Sequence, residues 1–169
     1  MAAITLAPVS TQRQIDTLCA IAKTVWHETY DDLLPPGQPD YMIEKFQSDH
    51  AVKEQMAREN YRYVLAKLGE AYVGFVGYAP RYQGQEEMYL SKAYILPQGR
   101  GQGVVGALFR LVEEETKKEG LSRVRLTVNK GNAHAKAVYE HYGYRTVEAV
   151  QSDIGGGYVM DDYVMVKEL

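Results

Sequence analysis

A cluster of glycines constrains this chain more than any other feature, because it stands where an apolar, β-prone segment gives way to a helix-like one. Within AYILPQGRGQGVVGALF, residues 93–109, four glycines fall in eight residues. Glycine costs roughly 0.5–1 kcal/mol relative to alanine inside a regular element, so the junction must need bare backbone. Amide groups at a helix N-terminus bind anions, which predicts a phosphate-binding turn; a tight structural turn is the alternative. The glycines are Gly99, Gly101, Gly103 and Gly106.

The composition is that of an ordinary soluble chain, with 169 residues, 46% hydrophobic and 24% charged. At this length one domain, residues 1–169, is expected. The net charge of -3 argues against nucleic-acid binding. No apolar run reaches the roughly 18 residues of a membrane span, and the N-terminus lacks the basic start of a signal peptide. The one cysteine, Cys19, fits a core position. A single cysteine allows no internal disulfide, which fits a reducing compartment and predicts a cytoplasmic protein.

The predicted elements follow a mixed order. Thr11 and Gln14 form a capping box ahead of a helical stripe. A hairpin, a strand–helix–strand–helix series and a closing hairpin come later, which predicts a sheet with parallel and antiparallel pairs. Strands are predicted at residues 3–8, at 61–80 as a hairpin around Gly69–Glu70, at 86–97, at 121–129 and around Gly155–Gly157, and helices after Thr11, within 40–60, at 104–119 and at 132–143.

The glycine cluster formally matches the dinucleotide fingerprint GxGxxG at Gly101, Gly103 and Gly106. A dinucleotide-binding domain also needs an acidic residue about 20 residues further on, at the end of the next strand. That strand ends in Asn129 and Lys130, with no acid present. A nucleotide-dependent oxidoreductase is therefore the weakest of the functional alternatives.

Two motifs resemble those of the GNAT superfamily, the Gcn5-related N-acetyltransferases. The first is [QR]-x-x-G-x-[GA] after an apolar strand, which Gln98, Gly101 and Gly103 fill. The second is N-x-x-A-x-x-x-Y-x-x-x-G-[FY], which is matched at Asn132, Ala135, Tyr139, Gly143 and Tyr144. The C-terminal segment DIGGGYVMDDYVMVKEL is also similar to bacterial polyamine (spermidine/spermine) acetyltransferase-like members.

The resemblance implies an α/β (α+β) fold, in which helices flank a mixed, mostly antiparallel sheet with a central parallel pair of splayed strands. It also implies acetyl-CoA as the cofactor. The pantetheine arm would lie along Ala93, Tyr94 and Ile95. The pyrophosphate would lie on the glycine loop, and the second motif would add further contacts. The implied loop and second-motif residues are Gln98, Gly99, Arg100, Gly101, Gln102, Gly103, Val104, Val105, Gly106, Asn132, Lys136 and Tyr139.

The implied reaction transfers acetyl to an amine, so it needs a proton donor for the thiolate and a base for the amine. Tyr139 is the predicted acid, and a packing tyrosine is its alternative. Some family members have a glutamate as base where this chain has Ser91. Glu87, on the same predicted strand face, is one candidate base. The C-terminal acids are the others, although solvated hairpin charges are favoured for Asp153, Asp161 and Asp162.

The acceptor side is predicted less firmly than the cofactor side. His27 and Tyr30 end the first helix, near the family's acceptor-binding loop, and are candidates for substrate binding together with Ser91 and Asp161. The histidines lack metal-ligand spacing, so no metal is expected. The partner is a small-molecule amine, with polyamines ranked first. A protein N-terminus as acceptor, a regulatory acyl-CoA-binding module without turnover, and a homodimer are all left open.

Overall fold

The computed structural model describes residues 2–169, and its elements follow the predicted order. The described strands are β1 (Ile4–Pro8), β2 (Arg62–Leu68), β3 (Ala71–Pro80), β4 (Met88–Ile95), β5 (Arg123–Asn129), β6 (Arg145–Gly155) and β7 (Tyr158–Glu168). The described α-helices are α1 (Gln12–Tyr30), α2 (Gln38–Gln47), α3 (Asp49–Arg58), α4 (Val104–Lys118) and α5 (Ala133–His141). None of these helices has the length and apolar character needed to cross a bilayer.

The strands form one mixed sheet in the order β1-β2-β3-β4-β5-β7-β6. Every neighbouring pair is antiparallel except β4 and β5. These two strands pair only at Met88 with Val124 and at Tyr89 with Arg125, although β4 continues to Ile95. The central parallel pair therefore separates after its first residues, as expected.

A bulge in β4 sets which side chains face each layer of helices. The pairing with β3 shifts so that Ser91 is an extra residue between Leu90 and Lys92. Without the bulge, Leu90 and Ala93 would lie on opposite faces, because side chains alternate along a strand. Both instead pack with the α4 side of the core, whereas Tyr94 packs on the α1 side.

The core lies in two layers, one on each face of the sheet. α4 contributes an apolar stripe to one layer, including Leu108 and Val112, and α5 packs beside it. α1 and α3 contribute residues such as Leu18 and Val52 to the other. A central strand that is buried on both faces has a nearly continuous apolar sequence, as residues 63–66 of β2 do.

Local signals placed the starts of α1, α4 and α5 correctly, whereas α2 begins at Gln38, just before the predicted helical region. The Thr11 hydroxyl accepts from the Gln14 backbone amide, and Gln14 Oε1 accepts from the Thr11 backbone amide, so the predicted capping box is present. The Asn132 side chain caps α5 through the amide of Ala135 at 3.2 Å. α4 ends beside Gly120, whose φ of +74° suits a helix stop.

Candidate active site

A cavity of about 1070 Å³ lies where β4 and β5 separate. Both separated strands line it, through Ala93, Tyr94 and Ile95 on β4 and Val128 and Asn129 on β5. The cavity reaches the start of α4 at one end, which we call the cofactor end. At the other end it reaches Tyr30, Lys92 and Asp162, and we call this the acceptor end. Parallel strands that part in this way leave a slot whose edges present unpaired backbone groups.

The glycine loop opens into the cofactor end with unsatisfied amide donors. α4 begins with the Ala107 amide bonded to the Gly103 carbonyl at 3.1 Å. The amides of Val104, Val105 and Gly106 therefore have no carbonyl of their own helix to bond, and Gly103 carries no side chain to cap them. Such a helix start favours a bound anion.

Two of the four glycines leave room in front of the loop. Gly101 and Gly103 have φ values of +71° and +83°, which other residues rarely adopt. Among the described residues, a Cβ on Gly101 would meet no atom within 4 Å, and one on Gly103 would meet only the Ile4 side chain, at 3.8 Å. The bare backbone at these positions faces open space that a ligand can occupy.

The other two glycines are required by packing, which the sequence analysis did not foresee. A Cβ on Gly99 would approach the Val73 Cβ to 2.7 Å, and one on Gly106 would approach the Tyr142 hydroxyl to 3.0 Å. The four glycines thus have two roles. Gly99 and Gly106 let the loop pack closely against β3 and the end of α5, and Gly101 and Gly103 leave open space in front of the loop.

Arg100 braces the loop against the first helix. Its guanidinium pairs with the Glu28 carboxylate at 2.5 Å and donates to the Ile95 carbonyl at 3.2 Å. Gln102 donates to the Gln98 carbonyl at 2.9 Å, which closes the turn from within. These bonds hold the loop in place without filling the space in front of its amides.

Tyr139 presents its ring to the cavity from α5. The ring stacks on Phe109 with centroids 5.7 Å apart and meets Tyr144 edge-on at 5.8 Å. Burial raises the pKa of the Tyr139 hydroxyl above that of an ordinary tyrosine. The phenol therefore stays protonated near neutral pH and can donate a hydrogen bond into the cavity.

Aromatic side chains build one wall of the acceptor end. Trp26 donates to the Tyr94 hydroxyl at 2.9 Å and packs against Tyr30 with centroids 4.4 Å apart. The Tyr30 hydroxyl accepts from the Asn132 side chain at 3.3 Å. Burial raises the pKa of Tyr30, so its own proton remains available to a ligand. The α5 cap and the end of α1 thus meet across the cavity.

Asp162, on β7, is a buried carboxylate at the acceptor end. It is 4% exposed and lines the cavity, and within residues 2–169 its Oδ1 has no hydrogen-bond partner. Lys130 pairs with the neighbouring Asp161 at 2.9 Å instead. Burial raises the pKa of the Asp162 carboxyl to about 6, with the Asp161 charge adding to the rise and Lys130 opposing it.

Lys92 is a buried amine in the same cavity, and the sequence analysis missed it. Its Nζ donates to the Phe46 carbonyl and, at 3.0 Å, to Gln55 Oε1, and it lies 5.2 Å from the centre of the Tyr63 ring. Burial lowers the pKa of the Lys92 ammonium to about 7. The available signal was one charged residue inside the otherwise uncharged strand MYLSKAYI.

The same region of the chain matches a known family. The family model described as acetyltransferase (GNAT) covers residues 25–144, which include both motifs and most of the cavity lining. The chain belongs to the GNAT acetyltransferase family. The expected fold is confirmed by this match and by the sheet topology.

Sequence relatives agree with this assignment, and solved structures share the fold. Proteins from Mycobacterium bovis and two strains of Mycobacterium tuberculosis, called uncharacterized N-acetyltransferases, are 36% identical over 95 residues, which are 56% of this chain and 60% of theirs. The PaiA N-acetyltransferase from Thermoplasma acidophilum, solved with coenzyme A, is 19% identical over 99% of both chains with a TM-score of 0.79. An acetyltransferase from Thermus thermophilus is 22% identical over 100% of both chains with a TM-score of 0.70.

Most of the residues that the GNAT motifs implied for the cofactor line the cavity. On the acceptor side, Tyr30 and Ser91 line it as well. Ser91 accepts from the Tyr61 hydroxyl at 2.8 Å. Four implied cofactor residues are outside the lining, although Gly106 still contributes an amide at the helix start; the four are Gln98, Gln102, Gly106 and Lys136. The implied residues that line the cavity are Ala93, Tyr94, Ile95, Gly99, Arg100, Gly101, Gly103, Val104, Val105, Asn132 and Tyr139.

Glu87, His27 and Asp161 are not brought to the cavity. The Glu87 carboxylate, which directly precedes β4, pairs with Arg125 at 2.8 Å and lies 3.8 Å from Arg123, both on the neighbouring strand β5. His27 pairs with two surface aspartates, and Asp161 with Lys130. This placement gives no support to Glu87 as the base or to His27 and Asp161 as acceptor contacts.

Charged side chains in the described residues do not gather as metal ligands do. Within residues 2–169, no three histidine, cysteine, aspartate or glutamate side chains form a group that could hold a metal ion. The polar groups of the cavity include amides, phenols, the unpaired Asp162 carboxylate and the buried Lys92 amine, together with exposed charged side chains such as Glu44, Lys45 and Arg100. Such groups bind anions and amines and move protons.

Proposed function

We propose that this chain transfers an acetyl group from acetyl-CoA to a primary amine of a small molecule. The observation that carries the proposal is one cavity with an anion-binding helix start at its cofactor end and an unpaired buried carboxylate at its acceptor end. An anionic acyl donor and a cationic amine could thus be held together in one ternary complex. We place the reaction within the single domain of residues 1–169 and, given the lone cysteine, in the cytoplasm.

The cofactor end suits a pyrophosphate. The amides of Val104, Val105 and Gly106 would bind its oxygens, and the open faces of Gly101 and Gly103 would let them approach the backbone. Backbone groups of Ala93 to Ile95 that face away from β3 would hold the pantetheine arm beside β4. When bound, acetyl-CoA would supply the acetyl group as a thioester, and the acceptor amine would take it while the thiol of CoA is released.

Tyr139 is the proposed partner of the departing sulfur. Its raised pKa makes full proton transfer less favourable but keeps the hydroxyl protonated, so it would act mainly as a hydrogen-bond donor. The stacked rings of Phe109 and Tyr144 fix its ring. Asn132 combines its observed role as helix cap with a proposed contact to the cofactor.

Acidic groups at the acceptor end favour a cationic acceptor, and we rank polyamines first. Glu44, Glu54 and Glu59 line the cavity on the α2–α3 side, and Asp162 lines it from β7. Each exposed carboxylate would contribute little, but several along one slot could hold an extended polycation. A protein N-terminus is the second candidate acceptor.

Coupled detection of CoA release with an amine panel tests the proposal. Spermidine is expected to be turned over faster than neutral amino acids, and calorimetry on EDTA-treated protein is expected to show undiminished acetyl-CoA binding. Turnover of neutral amino acids with no response to spermidine would reject the polyamine class alone. Binding of acetyl-CoA without turnover of any amine or peptide would favour a regulatory acyl-CoA-binding module. A strict need for added zinc would overturn the metal-free chemistry.

A further inference from the structure

Asp162, at the acceptor end, lies beside the separated strands β4 and β5. In the pairing of β5 with β7, Asp162 stands opposite Asn129, the last residue of β5. Counting forward from the Met88–Val124 pair, with the extra residue Ser91 left out, Asn129 stands about level with Tyr94 on β4. Asp162 is therefore one strand away from the slot where β4 has left β5, at the depth of the proposed pantetheine path.

The face of the sheet on which Asp162 lies is the acceptor face. Met160, two residues earlier on β7, packs with Trp26 and Tyr30 in the cluster formed by α1 and α2, and both Met160 and Asp162 line the cavity. Tyr163, which points the other way, packs with the α4 core. Asp162 and Tyr139 thus approach the slot from opposite faces of the sheet, as a base and an acid acting on opposite sides of one reacting centre would.

Asp162 carries a cost that the chain itself does not offset. A buried carboxylate without a partner loses its hydration and gains nothing in return. The groups that face it are Tyr30 from α1, Asp161 from its own strand and Lys130 from the end of β5, and the lysine is engaged by Asp161. A ligand that brought an ammonium group into the cavity would remove this cost.

We propose that Asp162 is the residue that binds the acceptor ammonium and takes its proton before the nitrogen attacks. An N–H bond of the ammonium breaks, an O–H bond forms on the Asp162 carboxylate, and the electron pair of the broken bond stays on nitrogen as its lone pair. The step is a proton transfer that needs no oxidant, reductant or further reactant. The Tyr30 hydroxyl oxygen, which already accepts from Asn132, accepts a second hydrogen bond from the same ammonium and keeps it oriented. This inference rests on the proposed acetyl transfer and deepens it.

The surroundings make Asp162 a better base than an exposed aspartate. Its raised pKa is closer to the pKa of an alkylammonium, which is about 10, so the proton transfer is less unfavourable. Desolvation lowers the pKa of the ammonium and brings the two pKa values closer still. The carboxylate is still mostly ionised above pH 7, so it is ready to accept a proton at neutral pH. Ser91, which replaces the glutamate of some family members, leaves this task to another strand.

The first test compares Asp162→Asn with Asp153→Asn, a matched change at an exposed aspartate of β6 that lies outside the cavity lining and whose hydrogen bond from the Gly155 amide an asparagine can keep. Asp162→Asn is expected to lower kcat/KM for spermidine by about 10²–10³-fold near pH 7, and Asp153→Asn by less than about twofold. The loss should shrink as the pH approaches the pKa of the amine, because the solution then supplies neutral amine. In the wild type, the acid limb of the kcat/KM profile should lie near pH 6, and Asp162→Asn should lack it.

Stability and cofactor binding separate this role from a structural one. The folded-state pKa of Asp162 is above its unfolded value, so the carboxylate destabilises the fold at pH values above about 6. Asp162→Asn removes that charge, so its Tm at pH 7.5 should equal or exceed that of the wild type. Its Kd for CoA, measured by calorimetry, should change by less than about twofold. A lower Tm together with weaker CoA binding would overturn the inference in favour of a structural role.

The second test needs no variant. With CoA bound to the wild type, carbon-13 NMR of the aspartate carboxyls should show Asp162 titrating above the ordinary range, and added 1-aminopropane should lower that pKa, because an ammonium favours the ionised form. An Asp162 pKa that does not respond to the amine would overturn the inference. If the Asp162→Asn variant turns over amine as fast as the wild type, the inference is overturned as well, whereas the proposed acetyl transfer stands. Absence of any turnover by the wild type would count against acetyl transfer itself.

Discussion

The two ends of the cavity are built in opposite ways. The cofactor end comes from one continuous stretch, the end of β4, the glycine loop and the first turn of α4, and its binding groups are backbone amides. The acceptor end is assembled from side chains on α1, β4 and β7, which are separated in sequence by tens of residues. Backbone amides in a helix start serve any phosphate, whereas side chains on separate elements can change one at a time.

This contrast indicates which end of the cavity determines substrate specificity. An anion site made of amides depends on backbone conformation, so glycines at positive φ are its sequence requirement. The acceptor end depends on which charged groups are buried without an opposite charge, here Asp162 and Lys92. Both residues carry a free-energy cost in the unliganded protein, and such costs are typical of functional sites.

The largest effect is expected for Tyr139→Phe, which tests whether the cofactor end supplies chemistry as well as binding. The ring keeps its stacking on Phe109, but the hydroxyl is lost, so kcat and kcat/KM should fall together by about 10²–10⁴-fold. CoA affinity and Tm should barely change. Tyr144→Phe, in the same core cluster but outside the cavity lining, is the matched control. A Tyr139→Phe enzyme with kcat within about a factor of two of the wild type would assign this residue to packing.

The next largest effect is expected for Gly103→Val, which should impair binding at the cofactor end and leave the acceptor end unchanged. A branched side chain there would stand in front of the loop amides, and losing one or two charge-assisted hydrogen bonds should weaken CoA binding by about 10–100-fold. The substitution also strains a residue with φ of +83°. Gly120→Val, at φ of +74° with open space around it, carries comparable strain far from the cavity.

Calorimetry with CoA and thermal unfolding of both glycine variants separate strain from ligand binding. Both variants should lose stability, and Gly103→Val alone should lose CoA affinity. Equal CoA affinity in the two folded variants would show that the loop amides do not hold the cofactor.

A smaller effect is expected for Lys92→Met, which sharpens the account of the acceptor end. The folded-state pKa of Lys92 is about 7, below its unfolded value of 10.5, so the unfolded chain binds more protons between these pH values. Lys92 therefore makes stability rise with pH in that window, by at most about 1.4 kcal/mol per pH unit, and the variant should lack this slope. Gln55 and Tyr63 still donate to the acceptors that Lys92 used, so the variant should fold.

Urea unfolding of the wild type and Lys92→Met from pH 7 to pH 10 measures this slope. The difference between the two proteins removes the contributions of other titrating groups. Parallel stability curves would mean that Lys92 remains charged in its buried site.

The smallest effect is expected for Glu87→Gln. Because Glu87 pairs with Arg125 and Arg123 and lies outside the cavity lining, kcat/KM should change by less than about twofold, and stability should fall by about 1 kcal/mol. Steady-state kinetics and urea unfolding measure the two quantities. A loss of activity as large as that expected for Asp162→Asn would assign the base to Glu87, just before β4, instead of Asp162 on β7.

The sequence by itself determined the order of the elements, the caps at Thr11 and Asn132, and the glycine loop ahead of α4. These features depend on residues within a few positions of one another, so local pattern carries them. The two matched motifs identified the family and, with it, the splayed strands.

Only the tertiary structure decided which charges face the cavity. Glu87 and Asp161 found arginine and lysine partners outside it, whereas Asp162 and Lys92 were buried without an opposite charge. The bulge at Ser91 reversed the alternation along β4, and no local signal marked it. The physical reason is that pairing, burial and pKa depend on neighbours far away in sequence, which become neighbours only when β7 pairs with β5 and α1 packs across the sheet.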